Sequence, residues 1–449
     1  MNCTECNKKI DSAPNIFKSK ESQTIKEANV VLYTNLLTWD HKKSPEKHPL
    51  DINCVVAVSR DGTMIASGSE QNEINVWRNT VGIPKQVCVF KEDECSIQGI
   101  SFSPDNKTLA SILENTISMK QTIKLWDLTT ETFTTSREIP LPKIFVGNEE
   151  FKINYNTHIE FSRDGQNLMI LGNSRVYFYN IHTIEETEWV LTKFPTNTDD
   201  DLGILFVSCI TYGWDGTFFA TGGYVMEDDK KKGFVKLFHM SDQQINFTFK
   251  IIDESFSVSA IAISRDNNYI AWGDSNGKIG LLKINDEEKA MDLIWKSKRS
   301  ESRIKSVAFS YDSKILAYTG QGTDTINNDP IIEIWDVETL GNNNLLNMNV
   351  ERKPKARLFS EQIQYNSIAF LPNNTLVSGG SHNSVRIWMC VSHDLLALAL
   401  QMIRHFKKIS NDPKKSNLDE QKITLLKFPV EIQRSLFNFW SLISNSCDW

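Results

Sequence analysis

The sequence predicts an all-β fold, a closed array of repeated short-strand units. Three observations predict it. A strand ending in an aromatic residue recurs along the chain. A tight turn with Asp or Asn at its third position precedes each copy. No helical pattern separates the copies.

The recurring strand is clearest as "TIKLWDL" at Thr122–Leu128. Related segments are "EINVW" ending at Trp77, "IIEIWDV" at Ile331–Val337 and "SVRIW" ending at Trp388. Weaker copies end at Tyr179, Phe238 and Ile284. The turns begin at Ser59, Ser103, Ser162, Gly213, Ser264, Ser310 and Leu371, spaced by 44, 59, 51, 51, 46 and 61 residues. Their third position is Asp six times and Asn once (Asn373). Asp and Asn side chains accept hydrogen bonds from nearby backbone N–H groups, and a neighbouring Gly or Asn tolerates positive φ. Each copy therefore reads as strand, tight turn, strand, loop, strand. A fourth strand such as "KQVCVFK" at Lys85–Lys91 follows in the linker.

These features resemble the WD40-repeat family. The resemblance rests on Trp126–Asp127 and Trp335–Asp336, on the "SPD" and "SRDG" turns, and on the small-residue tracts Ala66-Ser67-Gly68-Ser69 and Ser378-Gly379-Gly380-Ser381. It implies a seven-bladed β-propeller of four-stranded antiparallel blades over residues 28–391. It also implies ring closure by an N-terminal strand in the last blade. "ANVVLYTNLLTWD" at Ala28–Asp40 is placed for that role, with residues 28–50 as closing strand and loop. The rival reading makes Trp39–Asp40 the end of a degenerate eighth blade; too few β-like residues precede it.

The chain departs from the family at the tetrad of His, Ser or Thr, Asp and Trp that ties blades together. The first copy comes closest, with His48, Ser67 and Trp77, but Gln71 stands where Asp belongs. The second copy has Lys120 there, the fifth Asn276 and the seventh His382. Blade cohesion is therefore expected to rest on apolar packing. Looser third, fourth and fifth blades are expected, since Tyr179, Phe238 and Leu282 replace Trp.

The resemblance places the loop between the second and third strands on a top face. That loop reads as long at Leu113–Thr122, Tyr224–Gly233 and Gly320–Pro330. The second of these carries Glu227, Asp228 and Asp229 beside Lys230, Lys231 and Lys232. The connector into the same blade carries Asp199, Asp200 and Asp201. Loops on a rigid scaffold are where recognition concentrates, although charge runs are usually only solvated. These nine residues are the candidate partner-binding positions.

Beyond Trp388 the β pattern stops. Residues 392–449 read as a short α-helical extension of two amphipathic helices, Ser392–Ser410 and a second from Pro429 on. "FPVEI" at Phe428–Ile432 resembles the opening of an F-box, but fewer residues follow than that module needs. Residues 1–27 read as a polar, disordered tail. Its Cys3 and Cys6 form a single C-x-x-C, whereas a zinc site wants four ligands, so no metal is expected.

Composition narrows the function. The net charge is −7, and each flank (residues 1–50 and 391–449) holds 8 Lys/Arg against 6 Asp/Glu, so the central body is the acidic part. Nucleic acid is not the expected partner, because phosphate neutralisation needs clustered bases. No run of 18 apolar residues or secretory h-region appears, and the eight cysteines are scattered. A cytoplasmic setting without a membrane partner is expected. Nucleophile-elbow, Walker, H-E-x-x-H and G-x-G-x-x-G motifs are absent, so no cofactor is expected.

The resemblance implies a non-catalytic scaffold, monomeric on its own, that binds a protein or peptide through its loop-rich face. One alternative is a propeller enzyme acting at the central channel, which needs converging ionisable groups and a pocket of roughly 300 Å3 or more. Another is a substrate receptor that docks through its C-terminal helices.

Overall fold

A computed structural model of the protein describes residues 32–40, 54–69, 72–79, 84–118, 121–129, 135–140, 144–146, 149–151, 158–172, 175–181, 190–191, 205–227, 230–240, 245–253, 256–285, 290–297, 303–321, 330–341, 354–359, 365–380 and 384–391. Tyr33–Asn79 and Lys85–Cys390 form one compact unit. A second unit comprises Met1–Leu32, Thr80–Pro84 and Val391–Trp449, of which only residues 32, 84 and 391 are described. The tail, the C-x-x-C pair and both C-terminal helices lie outside the described residues.

The compact unit is seven four-stranded antiparallel sheets in chain order. Blade 1 is Cys54–Val58, Met64–Ser69, Glu73–Arg78 and Lys85–Lys91. Blade 2 is Cys95–Phe102, Thr108–Asn115, Gln121–Asp127 and Thr135–Pro140. Blade 3 is His158–Phe161, Asn167–Gly172, Arg175–Asn180 and Val190–Leu191. Blade 4 is Leu205–Tyr212, Phe218–Glu227, Lys230–Met240 and Ile245–Asp253. Blade 5 is Val258–Ile263, Tyr269–Asp274, Ile279–Asn285 and Ala290–Lys296. Blade 6 is Ser306–Phe309, Ile315–Gln321, Pro330–Asp336 and Ala356–Phe359. Blade 7 is Tyr365–Phe370, Leu376–Gly380 and Ser384–Val391, and its fourth strand is Leu32–Asp40 from the start of the chain. The closing strand thus sits where the sequence places it, and the described residues form no eighth blade.

Each blade buries both faces against its neighbours, so central strands read as continuous apolar or small-residue runs. Met64–Ser69 is buried at every position. The apolar clusters straddle blade boundaries. Ile97, Phe102, Leu109 and Trp126 pack with Met64, Ile74 and Phe90 between blades 1 and 2. Val377, Val385 and Ile387 pack with Cys54, Ile65 and Trp77 across the closure. Cohesion by apolar packing is what the broken tetrads require.

The seven first-hairpin turns share one geometry. Asp61 accepts hydrogen bonds from the Ser59 hydroxyl (2.8 Å), the Thr63 N–H (2.9 Å) and the Thr63 hydroxyl (2.7 Å). Asp105, Asp164, Asp266 and Asp312 take the same serine hydroxyl in their own turns. The fourth turn residue is left-handed in all seven: Gly62, Asn106, Gly165, Gly216, Asn267, Ser313 and Asn374 have φ of 58–79°. In most blades this residue also meets the preceding turn of the ring. Trp214 N–H donates to Asn267 Oδ1 (2.8 Å), and Asp266 N–H donates to the Ser313 hydroxyl (3.1 Å). At the closure, a Cβ on Gly62 would lie 2.0 Å from Pro372 Cδ, so only glycine fits.

Four local features differ from the sequence expectation. Tyr179, Phe238 and Leu282 are as buried as the tryptophans they replace, so blades 3 to 5 show no loosening there. In blade 5 a Trp moves to the second strand: Trp272 is fully buried, and its ring occupies the space a Cβ on Gly280 would need. A small two-stranded ribbon, Ile144–Val146 with Glu149–Phe151, lies between blades 2 and 3 in sequence, where the turn spacing is 59. A helical turn at Val337–Gly341 interrupts blade 6, capped by Asp336, which accepts from the Thr339 N–H (3.1 Å) and hydroxyl (3.2 Å).

Candidate functional site

The structural positions named from the sequence do structural work. Trp126 Nε1–H donates to the Ser111 hydroxyl (2.8 Å), and Trp388 Nε1–H donates to the Ser378 hydroxyl (2.9 Å). The Ser–Trp half of the tetrad therefore survives in blades 2 and 7. Ser67 and Trp77 are buried in blade 1; His48 lies outside the described residues. Trp335 instead donates to Glu333 Oε2 (3.2 Å), a carboxylate that also accepts from the Tyr318 hydroxyl and from Arg357 Nε (2.8 Å). Asp127 folds back on its own turn, accepting from the Thr129 N–H (2.8 Å) and hydroxyl (2.6 Å). The acid missing at Asn276 is supplied two residues earlier. Buried Asp274 accepts the backbone N–H groups of Asn276 (2.9 Å) and Lys278 (2.8 Å).

The hairpins between second and third strands form the face expected to recognise a partner. The long loop expected at Tyr224–Gly233 is instead a strand ladder. Tyr224 pairs with Gly233, Val225 with Lys232, Met226 with Lys231 and Glu227 with Lys230. The charge run reads as loop, yet Val225 is fully buried and oppositely charged residues face each other across the register, which lets the strands continue. Phe206 stacks on Tyr224 with centroids 4.7 Å apart, and Lys231 Nζ lies 4.7 Å from the Tyr224 centroid. Lys230 and Lys231 are exposed and Lys232 is half-buried. Asp199, Asp200, Asp201, Asp228, Asp229 and the Glu227 side chain lie outside the described residues.

Blade 2 supplies a feature of this face that the sequence does not single out. Its second strand ends at Asn115, and Asn115 Oδ1 accepts from the N–H groups of Ile117 (3.1 Å) and Ser118 (2.7 Å). This turn holds Ile117 outward, 72% exposed. Among the described residues only Val89, 40% exposed, is also an exposed large apolar side chain. A lone Ile at a turn tip looks like any loop residue until the turn that fixes it is visible.

The channel is lined by the first strand of all seven blades and has a volume of about 520 Å3. First strands have one unpaired edge, and side chains of the preceding blade cap it. The Ser101 hydroxyl accepts Phe161 N–H (3.3 Å), Ser306 accepts Ile368 N–H (3.2 Å), Ser367 accepts Val56 N–H (3.3 Å) and Glu160 accepts Tyr212 N–H (3.1 Å). Arg60, Arg163, Arg303 and Lys305 line the channel, and Glu160 is the one carboxylate among the described lining residues. His158 lines the channel; the surrounding protein desolvates its imidazole and lowers the pKa, against the pull of Glu160. The size condition for channel chemistry is met, but the lone carboxylate is already committed to Tyr212 and Arg163. No group of three His, Cys, Asp or Glu that could hold a metal occurs among the described residues.

Seven four-stranded sheets ringed about a channel, with the first and last strands of the ring sharing a blade, define a seven-bladed β-propeller. Residues 39–78, 84–127 and 359–389 match the family "WD domain, G-beta repeat", and they coincide with blades 1, 2 and 7. Three of the seven blades thus match the WD40 repeat, within a seven-bladed propeller. The β-propeller domain of Cps50 (Swd1) from Myceliophteria thermophila is similar in structure. Its TM-score is 0.58 at 15% identity, covering 80% of this chain and 99% of that one. At that identity the likeness shows the fold alone. None of the curated proteins matches the sequence.

Proposed function

We propose that this propeller is an interaction scaffold whose second-to-third-strand hairpins recognise a protein partner. The observation that carries the reading is Ile117, an exposed isoleucine on a turn ordered by Asn115. Presenting an apolar side chain on a rigid support lowers the ordering cost of binding. The ladder of blade 4 adds the cations Lys230 and Lys231 on a second rigid support. The family's usual role as a scaffold agrees with this reading.

The test is affinity capture with the intact chain, with Ile117→Asp and with Lys230→Ser/Lys231→Ser. A partner retained by the intact chain and lost from Ile117→Asp, at unchanged urea midpoint, supports the reading. A partner that binds all three forms equally sinks it.

A further inference from the structure

The opposite ends of the same strands carry a different surface, independent of the partner-binding reading above. There the second residues of the first-hairpin turns ring the channel mouth. Arg60, Arg163, Trp214 and Tyr311 line the channel there, and Arg265 stacks on Tyr311 beside them. We propose that this mouth binds an oligophosphate group through Arg60, Arg163 and Arg265.

The aromatic rings hold the guanidinium groups in place. Arg163 lies 4.4 Å from the Trp214 centroid, and Arg265 lies 4.9 Å from Trp214 and 3.8 Å from Tyr311. Stacking uses a guanidinium's face and leaves its edge donors available. Arg163 spends some of them: Nε–H on Gly213 O (2.9 Å), and Nη2 on Glu160 (3.3 Å) and Tyr212 O (3.3 Å). Among the described residues the guanidiniums of Arg60 and Arg265 donate to no acceptor. Arg60 is placed over the mouth through its backbone, whose carbonyl accepts the Tyr311 hydroxyl (3.0 Å). Its side chain lines a second cavity together with Arg163 and Trp214.

The three cations repel one another. Burial is the main cause that lowers the pKa of Arg163 and of Arg265; Glu160 and Tyr311 respectively oppose it, and the charge of Arg60 adds a smaller lowering to each. Carboxylates lie close by, since Asp61, Asp164 and Asp266 follow the three arginines in their turns. Glu160 serves Arg163 alone among the arginines. Asp164 and Asp215 border the second cavity, but each accepts from its own turn. An acidic protein that gathers three arginines from three blades at one opening has built a site for an anion. A carboxylate offers two oxygens, enough for one bidentate arginine. Three guanidiniums call for the larger oxygen set of linked phosphates.

The experiment is calorimetric titration of the full chain with tripolyphosphate at low ionic strength, with citrate as the carboxylate comparison. The proposal expects saturable one-site binding that weakens with added salt. Arg60→Gln should lower affinity about tenfold or more, and Arg265→Gln similarly. Lys283→Gln, an exposed lysine of blade 5, should bind as the natural chain does. Arg60 is exposed, so Arg60→Gln keeps the test decisive even if Arg265→Gln shifts the unfolding midpoint. Absence of binding, equal binding by Arg60→Gln, or citrate binding as tightly as tripolyphosphate would each overturn the assignment.

Discussion

The two ends of the propeller's strands obey different rules. At one end, seven turns repeat one hydrogen-bond pattern and one left-handed residue, and they touch their neighbours round the ring. At the other, the hairpins differ from blade to blade: an outward isoleucine in blade 2, a buried aspartate in blade 5 and an extended ladder in blade 4. The turn ring is where blades are aligned, so its residues are constrained by their neighbours. The hairpin ends share no such repeated ring of contacts and vary from blade to blade.

The sharpest way to break that contrast is at the closure. Gly62 and Gly165 share φ of 72°, but a Cβ on Gly62 meets Pro372 at 2.0 Å and one on Gly165 meets Pro104 at 3.3 Å. Gly62→Ala should cost about 2–4 kcal/mol, the left-handed penalty plus overpacking. Gly165→Ala should cost about 1–2 kcal/mol, chiefly the left-handed penalty. Urea unfolding midpoints of the two variants measure the difference, and equal losses would deny the closure its special crowding.

Trp126→Phe comes next in size. It leaves the buried Ser111 hydroxyl without its donor and should cost about 1–3 kcal/mol. The same substitution in a stability scan of the hairpin tips has no counterpart.

Acid should act on the turn ring in particular. Partial burial pushes the carboxyls of Asp61, Asp105, Asp266 and Asp312 up, but the combined hydrogen bonds hold each below its ordinary value. A depressed folded pKa means the unfolded chain binds more protons, so this stability is present above the ordinary carboxyl range and is lost as pH falls through the folded values. Thermal midpoints from pH 6 to pH 3 should fall less steeply in Asp312→Asn than in the natural chain.

Alkali acts on the core of blade 4. Burial lowers the Lys236 pKa to about 8, so the unfolded chain binds more protons between there and its ordinary 10.5. Stability should rise with pH across that window, and the difference from Lys236→Met should show it. The smallest expected effect lies at the hairpin tips. Lys230→Ser and Lys231→Ser should change the unfolding free energy from urea titration by less than about 0.5 kcal/mol while altering partner capture.

The legibility of the sequence follows the same divide. The turns could be read because Asp, Asn and Gly are each demanded by a local backbone conformation. The closing strand could be read because a ring needs one. The ladder at Tyr224–Gly233 could not, because its charges mark a loop in isolation and only pairing shows otherwise. Trp272 also escaped, since a core needs volume filled and does not specify which strand fills it. Arg60 and Arg163 stand about a hundred residues apart in a turn position open to any residue, and only the closed ring brings them to one opening.

The fourth strand of blade 7 has a consequence for how the molecule is made. Leu32–Asp40 is made before every other strand of the ring, but its partner Ser384–Val391 follows roughly 340 residues later. At ordinary synthesis rates of about 5–20 residues per second, that is an interval of roughly 20–70 seconds. The growing chain can complete blades 1 to 6 in turn, yet the circle is sealed only once Ser384–Val391 has been made. For that interval the first strand waits as an unpaired edge, and premature termination anywhere before residue 384 yields an open arc rather than a smaller ring.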